Sequence, residues 1–277
     1  MAMADQAAGL RRMLGPRRLR IAPIIAASTG IGKTMFVINF AAAVQRLGLN
    51  VLVLDQSYGD VAEALGLTSR YELQHVLQGH CQLSSAALKG PNSVWIIPAT
   101  HGVEGLAVAG VNATRLRELL APITGELDLI VVNSRPARAH AACQLAAQAD
   151  VGREIILLAA PTAETITASY SHIKQLARSF GQQEFRLLIN RAISEDGARR
   201  IFSNVAKTAK ENVNALVHYG GYIPRDPALT LARTARQTIF ANQPDGSSAQ
   251  AFDNLAASFS DWAVPEFHQA QHSRANH

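Results

Sequence analysis

The segment Ile25-Ile-Ala27-Ser28-Thr29-Gly30-Ile31-Gly32-Lys33-Thr34 holds side chains suited to one chemistry, the binding of phosphate. It follows a short β-branched run and opens a stretch of helical period whose apolar face includes Phe36, Val37 and Phe40. Gly30 and Gly32 let backbone N–H groups turn inward, Lys33 supplies a point charge for the outer phosphates, and Thr34 offers a hydroxyl to magnesium. The helix N-terminus adds its dipole to the same anion site. Ala27 stands where the pattern GxxxxGK[ST] has its first glycine, and its methyl group restricts φ, so binding is expected to be weakened without being abolished. The alternative is a strand-to-helix turn that binds nothing; the Gly32-Lys33-Thr34 run in its strand and helix context favours phosphate.

Such a loop needs a strand to end it and a helix to open from it, and the rest of the chain supplies both in alternation. Apolar β-branched runs predict strands at 20–26, 50–55, 93–98, 127–132, 154–160, 186–189 and 216–218. Helical period predicts helices at 33–47, 114–120, 163–180, 194–211, 227–235 and 248–262. This alternation is that of an α/β fold, a doubly wound, mostly parallel sheet flanked by helices, in one domain over 19–265. Residues 1–18 form a separate N-terminal segment set off at Gly15-Pro16, and 266–277 a polar tail.

Composition narrows the remaining classes. With 48% apolar and 17% charged residues, 19 Gly and 11 Pro among 277, the chain is not disordered, collagenous or a coiled coil. It has neither the run of ~20 apolar residues that a membrane-spanning helix needs nor the apolar core of a signal peptide, so a cytoplasmic location is expected. Cys81 and Cys143 have no partner at metal-ligand spacing and are read as buried small hydrophobes. Residues 1–20 carry Arg11, Arg12, Arg17, Arg18 and Arg20 against Asp5, a net +4 of the chain's +5. Charge so localised argues against direct nucleic-acid binding and for a local partner contact.

The order of landmarks carries a resemblance. Thr29-Gly-Ile-Gly-Lys-Thr is followed by Val51-Leu-Val-Leu-Asp55, Leu127-Asp-Leu-Ile-Val-Val-Asn133-Ser134, Ala160-Pro161 with Thr165-Ile-Thr-Ala-Ser-Tyr170, and Leu187-Leu-Ile-Asn190-Arg191. This resembles the MinD/ParA family of deviant Walker ATPases over nearly the whole chain. Within it, Asp5-Gln6-Ala7-Ala8-Gly9-Leu10-Arg11, Phe185-Arg-Leu-Leu-Ile-Asn190-Arg191 and Tyr219-Gly-Gly-Tyr-Ile-Pro224-Arg225-Asp226 look like the flagellar number regulators FlhG, FleN and YlxH. The resemblance implies ATP or ADP with magnesium, held by Gly30, Gly32, Lys33 and Thr34, with Thr34 and Asp55 toward the metal and Asn190 and Pro224 toward adenine. For Asn190 the alternative is a helix N-cap after its strand.

Three positions depart from the family. Ser28 replaces the lysine that reaches across a nucleotide-sandwich dimer. Ser57 replaces the second aspartate of a D-x-D pair that orients the attacking water, and a hydroxyl does not take a proton as a carboxylate does. Asn133 replaces the aspartate that holds magnesium's water shell, and Arg135 and Arg138 make the loop beyond it cationic. Loss of one preorganised charge of this kind typically costs a factor of about 10²–10³ in rate. No catalytic residue is therefore assigned, and a pseudo-ATPase or very slow ATPase is expected.

Residues 4–14 predict a short helix with Leu10, Met13 and Leu14 on one face, too short to be stable unless docked. The matching segment of the flagellar regulators stimulates an FlhF-type GTPase of the signal-recognition class, which places Gln6 nearest the partner's nucleotide, Leu10 and Leu14 as anchors and Arg11 as a surface contact. A basic leader that only aids solubility is the alternative. A flagellar transcription regulator or basal-body protein is a further partner that the resemblance suggests. Phe252, Leu255, Phe259 and Trp262 share a helix face; the opposite face has Asp253 and Asp261 but no Lys or Arg, which favours core packing over anionic lipid. The competing functions are an active MinD/ParA-type ATPase positioning cellular cargo and a small-molecule kinase or reductase, for which no acceptor site is visible.

Overall fold

The computed structural model describes residues 18–150, 155–181 and 184–261. The expected helix over 4–14, with Gln6, Leu10, Arg11 and Leu14, lies outside them, as do Trp262 and the tail.

Eight strands form a single sheet. In chain order they are β1 (Arg20–Ala26), β2 (Val51–Asp55), β3 (Leu88–Lys89), β4 (Trp95–Pro98), β5 (Leu129–Ser134), β6 (Ile155–Ala159), β7 (Glu184–Ala192) and β8 (Leu216–Pro224). The spatial order is β3-β4-β2-β5-β1-β6-β7-β8. Every neighbouring pair is parallel except the short edge pair β3 and β4. From β1 the chain first builds toward β4, inserts β5 beside β1, and then builds the other way. The loop after β1 thus sits where the strand order reverses, the place at which open α/β sheets bind ligands.

The residues of β2, β5 and β6 are buried throughout, as they must be in a parallel sheet covered on both sides. One layer is α1 (Lys33–Arg46) with the C-terminal helices α10 (Pro227–Thr234), α11 (Ile239–Asn242) and α12 (Ser247–Asp261). Phe36 packs at a tilt against Phe252 with 5.7 Å between ring centroids, and Phe40 meets Phe259 edge-on at 5.4 Å. The apolar face of the last helix is therefore spent on the core, with Phe252, Leu255 and Phe259 all buried. The other layer comprises α5 (Gly102–Val108), α6 (Ala113–Thr124), α7 (Ala139–Ala146), α8 (Ala163–Phe180) and α9 (Glu195–Val213).

Several boundaries differ from expectation. β5 runs two residues further, because its parallel register with β2 continues to the pair Asp55 and Asn133, and with β1 to Ile25 and Ser134. β7 and β8 are nine residues each, and the longer β8 survives a register shift at Gly221, whose φ of 101° admits the irregularity. Between β2 and β4 the chain forms three short helices, α2 (Asp60–Ala64), α3 (Leu73–Leu77) and α4 (Leu83–Ala86), too brief to show a period. α5, α7 and α11 were likewise not foreseen. Cys81 and Cys143 are free and only half-buried, not fully buried as expected; burial pushes the Cys143 thiol up to about 12, so it is inert at neutral pH. Among the described residues no helix is long and apolar enough to cross a membrane.

Candidate nucleotide site

The loop leaving β1 is tied at both ends. Ala27 N donates to Leu158 O (2.9 Å), and the carbonyl oxygen of Ala27 accepts from His172 Nε2 on α8 (3.2 Å), which fixes the proton on that ring nitrogen. Gly30 and Gly32 take φ of 76° and 91°, the left-handed region where glycine is at ease. Gly32 caps α1, and a Cβ there would stand 2.9 Å from Asn190 Nδ2. Asn190 itself is buried and donates from Nδ2 to Ile31 O (2.7 Å). Its N-cap alternative fails, because Ser194 caps α9 by accepting from Gly197 N (3.1 Å). Pro224 ends β8, paired in register with Ala192 of β7. His172 and the buttressing role of Asn190 were missed: both lie far from the loop in sequence, His172 belongs to no motif, and the Asn190 landmark does not indicate a bond to Ile31 O.

Lys33 begins α1 and turns toward the ends of β2 and β5. Its Nζ donates to Ser57 Oγ (3.0 Å) and Ser134 O (2.7 Å). Ser57 Oγ in turn donates to Asn133 O (3.3 Å). Asp55 Oδ1 accepts from Ser57 N (2.9 Å) and Asn133 Nδ2 (2.8 Å), and Oδ2 accepts from Val61 N (2.9 Å). Asp55, Ser57, Asn133 and Ser134 are all 0% exposed. Two of the three departures from the family pattern, Ser57 and Asn133, are thus joined to Lys33 and Asp55 in one buried network. Asn133 Oδ1 and both polar side-chain atoms of Gln56 have no partner there.

This geometry fits phosphate better than metal. The glycine turns lead straight into the start of α1, where Lys33 and Thr34 are its first two residues. Both Asp55 oxygens accept N–H donors, Oδ1 from two and Oδ2 from one. An ion bound directly by Asp55 would compete with these donors for the carboxylate's lone pairs. At the rim, Arg135 lies over the Tyr58 ring at 4.6 Å, and Arg138 donates to Glu104 (2.5 Å). The loop expected to be cationic is half neutralised by a carboxylate that the sequence did not point to.

Burial lowers the Lys33 pKa to about 8, against the opposing pull of the Asp55 and Asp60 charges. Burial also raises that of Asp55, opposed by the N–H groups of Val61 and Ser57, by Asn133 and by Lys33. Between about pH 8 and 10.5 the unfolded chain keeps the Lys33 proton while the folded chain has shed it, so this group adds stability as pH rises through that window. The stability difference between the wild type and Lys33→Met is therefore expected to move in favour of the wild type from pH 8 toward pH 10.5, by about 2–3 kcal/mol. Urea titrations at a series of pH values check this; a flat difference contradicts it.

A P-loop α/β domain with its phosphate loop at the sheet's reversal point is the class that fold and site define. The chain matches CbiA, the CobQ/CobB/MinD/ParA nucleotide binding domain, over residues 23–239 and belongs to that family. Antiactivator FleN of Pseudomonas aeruginosa is 27% identical over 259 residues, spanning 92% of this chain and 91% of FleN. The MinD of the MinC:MinD cell division complex of Aquifex aeolicus superposes with a TM-score of 0.65 at 21% identity, over 89% of this chain and 97% of that one. The septum site-determining MinD of Pyrococcus horikoshii, complexed with Mg-ADP, gives 0.61 at 22% over 87% and 96%. The last two speak for the fold alone.

Proposed function

We propose that this chain is a FleN-like regulator of flagellar number and placement whose nucleotide site binds ATP or ADP weakly and hydrolyses it slowly or not at all. The similarity to FleN along 92% of the chain supports the flagellar role. The observation that carries the impaired chemistry is the buried network in which Ser57 and Asn133 stand between Lys33 and Asp55.

In this reading Gly30 and Gly32 expose amides to the phosphates, Lys33 leaves Ser57 and Ser134 to meet them, Thr34 lies toward the metal side, and Asn190 and Pro224 border adenine. Magnesium, when bound with the nucleotide, neutralises phosphate charge. No carboxylate stands ready to position the attacking water, since Asp55 is occupied and the Ser57 hydroxyl is a poor proton acceptor. Without a lysine at position 28, a second copy receives no charge across a sandwich dimer. Output passes instead through residues 1–18 to an FlhF-type GTPase, with Gln6 toward its nucleotide, Leu10 and Leu14 as anchors and Arg11 alongside. The protein acts in the cytoplasm and at the cell pole, with a flagellar transcription regulator or basal-body protein as a further partner, and without direct nucleic-acid or strong membrane binding.

The purified chain with magnesium and ATP is expected to release phosphate at least about 10²-fold more slowly than an intact MinD-type enzyme. By light scattering it should keep a monomer's mass with a non-hydrolysable ATP analogue. Rapid turnover abolished by Lys33→Ala, or a nucleotide-dependent doubling of mass, would replace this reading with that of an active ATPase positioning cellular cargo.

A further inference from the structure

Next to the nucleotide site, at the C-terminal ends of β2 and β4, the surface opens into a cleft of about 550 Å³. Its walls include Tyr58, Glu63, Arg70, Tyr71, His75 and Arg236. Arg236 closes one side by lying on Gly66, where a Cβ would stand 2.7 Å from its Cδ. Tyr58 is 61% exposed and is presented by a left-handed turn, φ 59°, directly after Ser57. Arg135 stacks on its ring, and Arg70 lies 5.6 Å from the Tyr71 ring centroid. None of Arg70, Arg135 and Arg236 has a carboxylate partner among the described residues. Of the two lining carboxylates, Glu72 is engaged: its Oε2 accepts from Thr100 N (3.0 Å), and its Oε1 lies 3.5 Å from His101 Nδ1. Glu63 alone offsets the guanidinium groups.

The size suits a small ligand, but several of the lining N–H groups are already spent inside the chain. Phosphate sites use free backbone amides, and here the N–H groups of Gly66, Leu67 and Arg236 donate to Glu63, Ala62 and Arg233 carbonyl oxygens. Those of Tyr71, Glu72 and Thr100 go to Ser69 Oγ, His75 Nδ1 and Glu72 Oε2. The charged and aromatic side chains of the lining are mainly arginine and tyrosine, the composition of the energetic centres of protein interfaces. We propose that this cleft docks an acidic segment of a protein partner, its carboxylates on Arg70 and Arg236 and an aromatic side chain between Tyr58 and Tyr71. None of the described lining residues belongs to the N-terminal segment. The cleft's occupant touches the turn that carries Ser57 to Lys33.

A fluorescein-labelled random copolymer of glutamate and tyrosine, which presents many acidic aromatic segments, tests this on the full chain by anisotropy. Saturable binding is expected, weakened at least about tenfold by the double substitution Arg70→Glu and Arg236→Glu, and tightened several-fold by Glu63→Lys. The proposal is overturned if no saturable binding occurs up to millimolar copolymer, or if binding is lost in Arg11→Glu with Arg12→Glu but kept in the cleft variant. It is also overturned if inorganic phosphate displaces the copolymer far better than chloride at equal ionic strength, or if a DNA duplex displaces it at lower concentration. Should the double variant fail to fold, an unchanged affinity in Glu63→Lys overturns the proposal by itself.

Discussion

Asp55→Ala is expected to lower folding stability by about 3–5 kcal/mol with no nucleotide present, an effect that a carboxylate held only for a ligand would not show. Its two oxygens satisfy Ser57 N, Val61 N and Asn133 Nδ2, all in a fully buried setting. Alanine leaves those three donors without acceptors, and each buried unsatisfied group costs about 1–3 kcal/mol. It also removes the negative charge nearest a buried Lys33. Urea titration with circular dichroism measures the loss. A decrease under about 1 kcal/mol would mean that water or rearrangement satisfies these donors, and that Asp55 is kept for metal after all.

Removing residues 1–18 is expected to abolish stimulation of an FlhF-type GTPase while leaving the domain folded. The cut falls before Leu19, which is fully buried and whose N–H donates to Asp150 Oδ2 (2.9 Å), so no described core residue is lost. In the helix expected over residues 4–14, Leu10 and Leu14 would come one turn apart. If both enter one groove they contribute on the order of 1.5–3 kcal/mol each, so either Leu→Ala change should weaken a synthetic peptide of this segment by about 10–100-fold. GTP hydrolysis is measured with the full chain, the truncated chain and the peptide alone. Lys33→Ala in the full chain should stimulate normally. A truncated domain that stimulates as well as the intact protein moves this function onto the folded surface.

The sheet and its main helices are legible in the sequence because buried parallel strands are unbroken apolar runs and the long helices carry caps and period. Thr162 and Ser194, the N-caps of α8 and α9, mark their starts in the way such residues do. What stays hidden is whatever depends on pairing or distance. The end of β5 at Ser134 is set by its register with β1 and β2, not by local preference. Helices α2 to α4, at four or five residues, are shorter than the window in which a period shows. Within the site, Gly30, Gly32, Lys33 and Thr34 declare themselves by motif. The polar closure of Asp55 by Val61 N, and the hold of Asn190 and His172 on the loop, join residues far apart in the chain or arise from backbone groups that every residue has.

The bond from Asn133 Nδ2 to Asp55 Oδ1 also bears on whether the chemistry could be regained. A carboxylate at 133 would set two anions at hydrogen-bond distance inside a buried space that holds a single lysine, and such a pair cannot be fully ionised together. One aspartate at 57 would crowd the same charge from the other side. Each single reversal toward a family-like site passes through a less stable protein, and Lys33 is already satisfied by a hydroxyl and a carbonyl. The hydrogen bonds among Asp55, Ser57 and Asn133 thus favour neutral residues at 57 and 133, and carboxylates there would require compensating changes around Lys33.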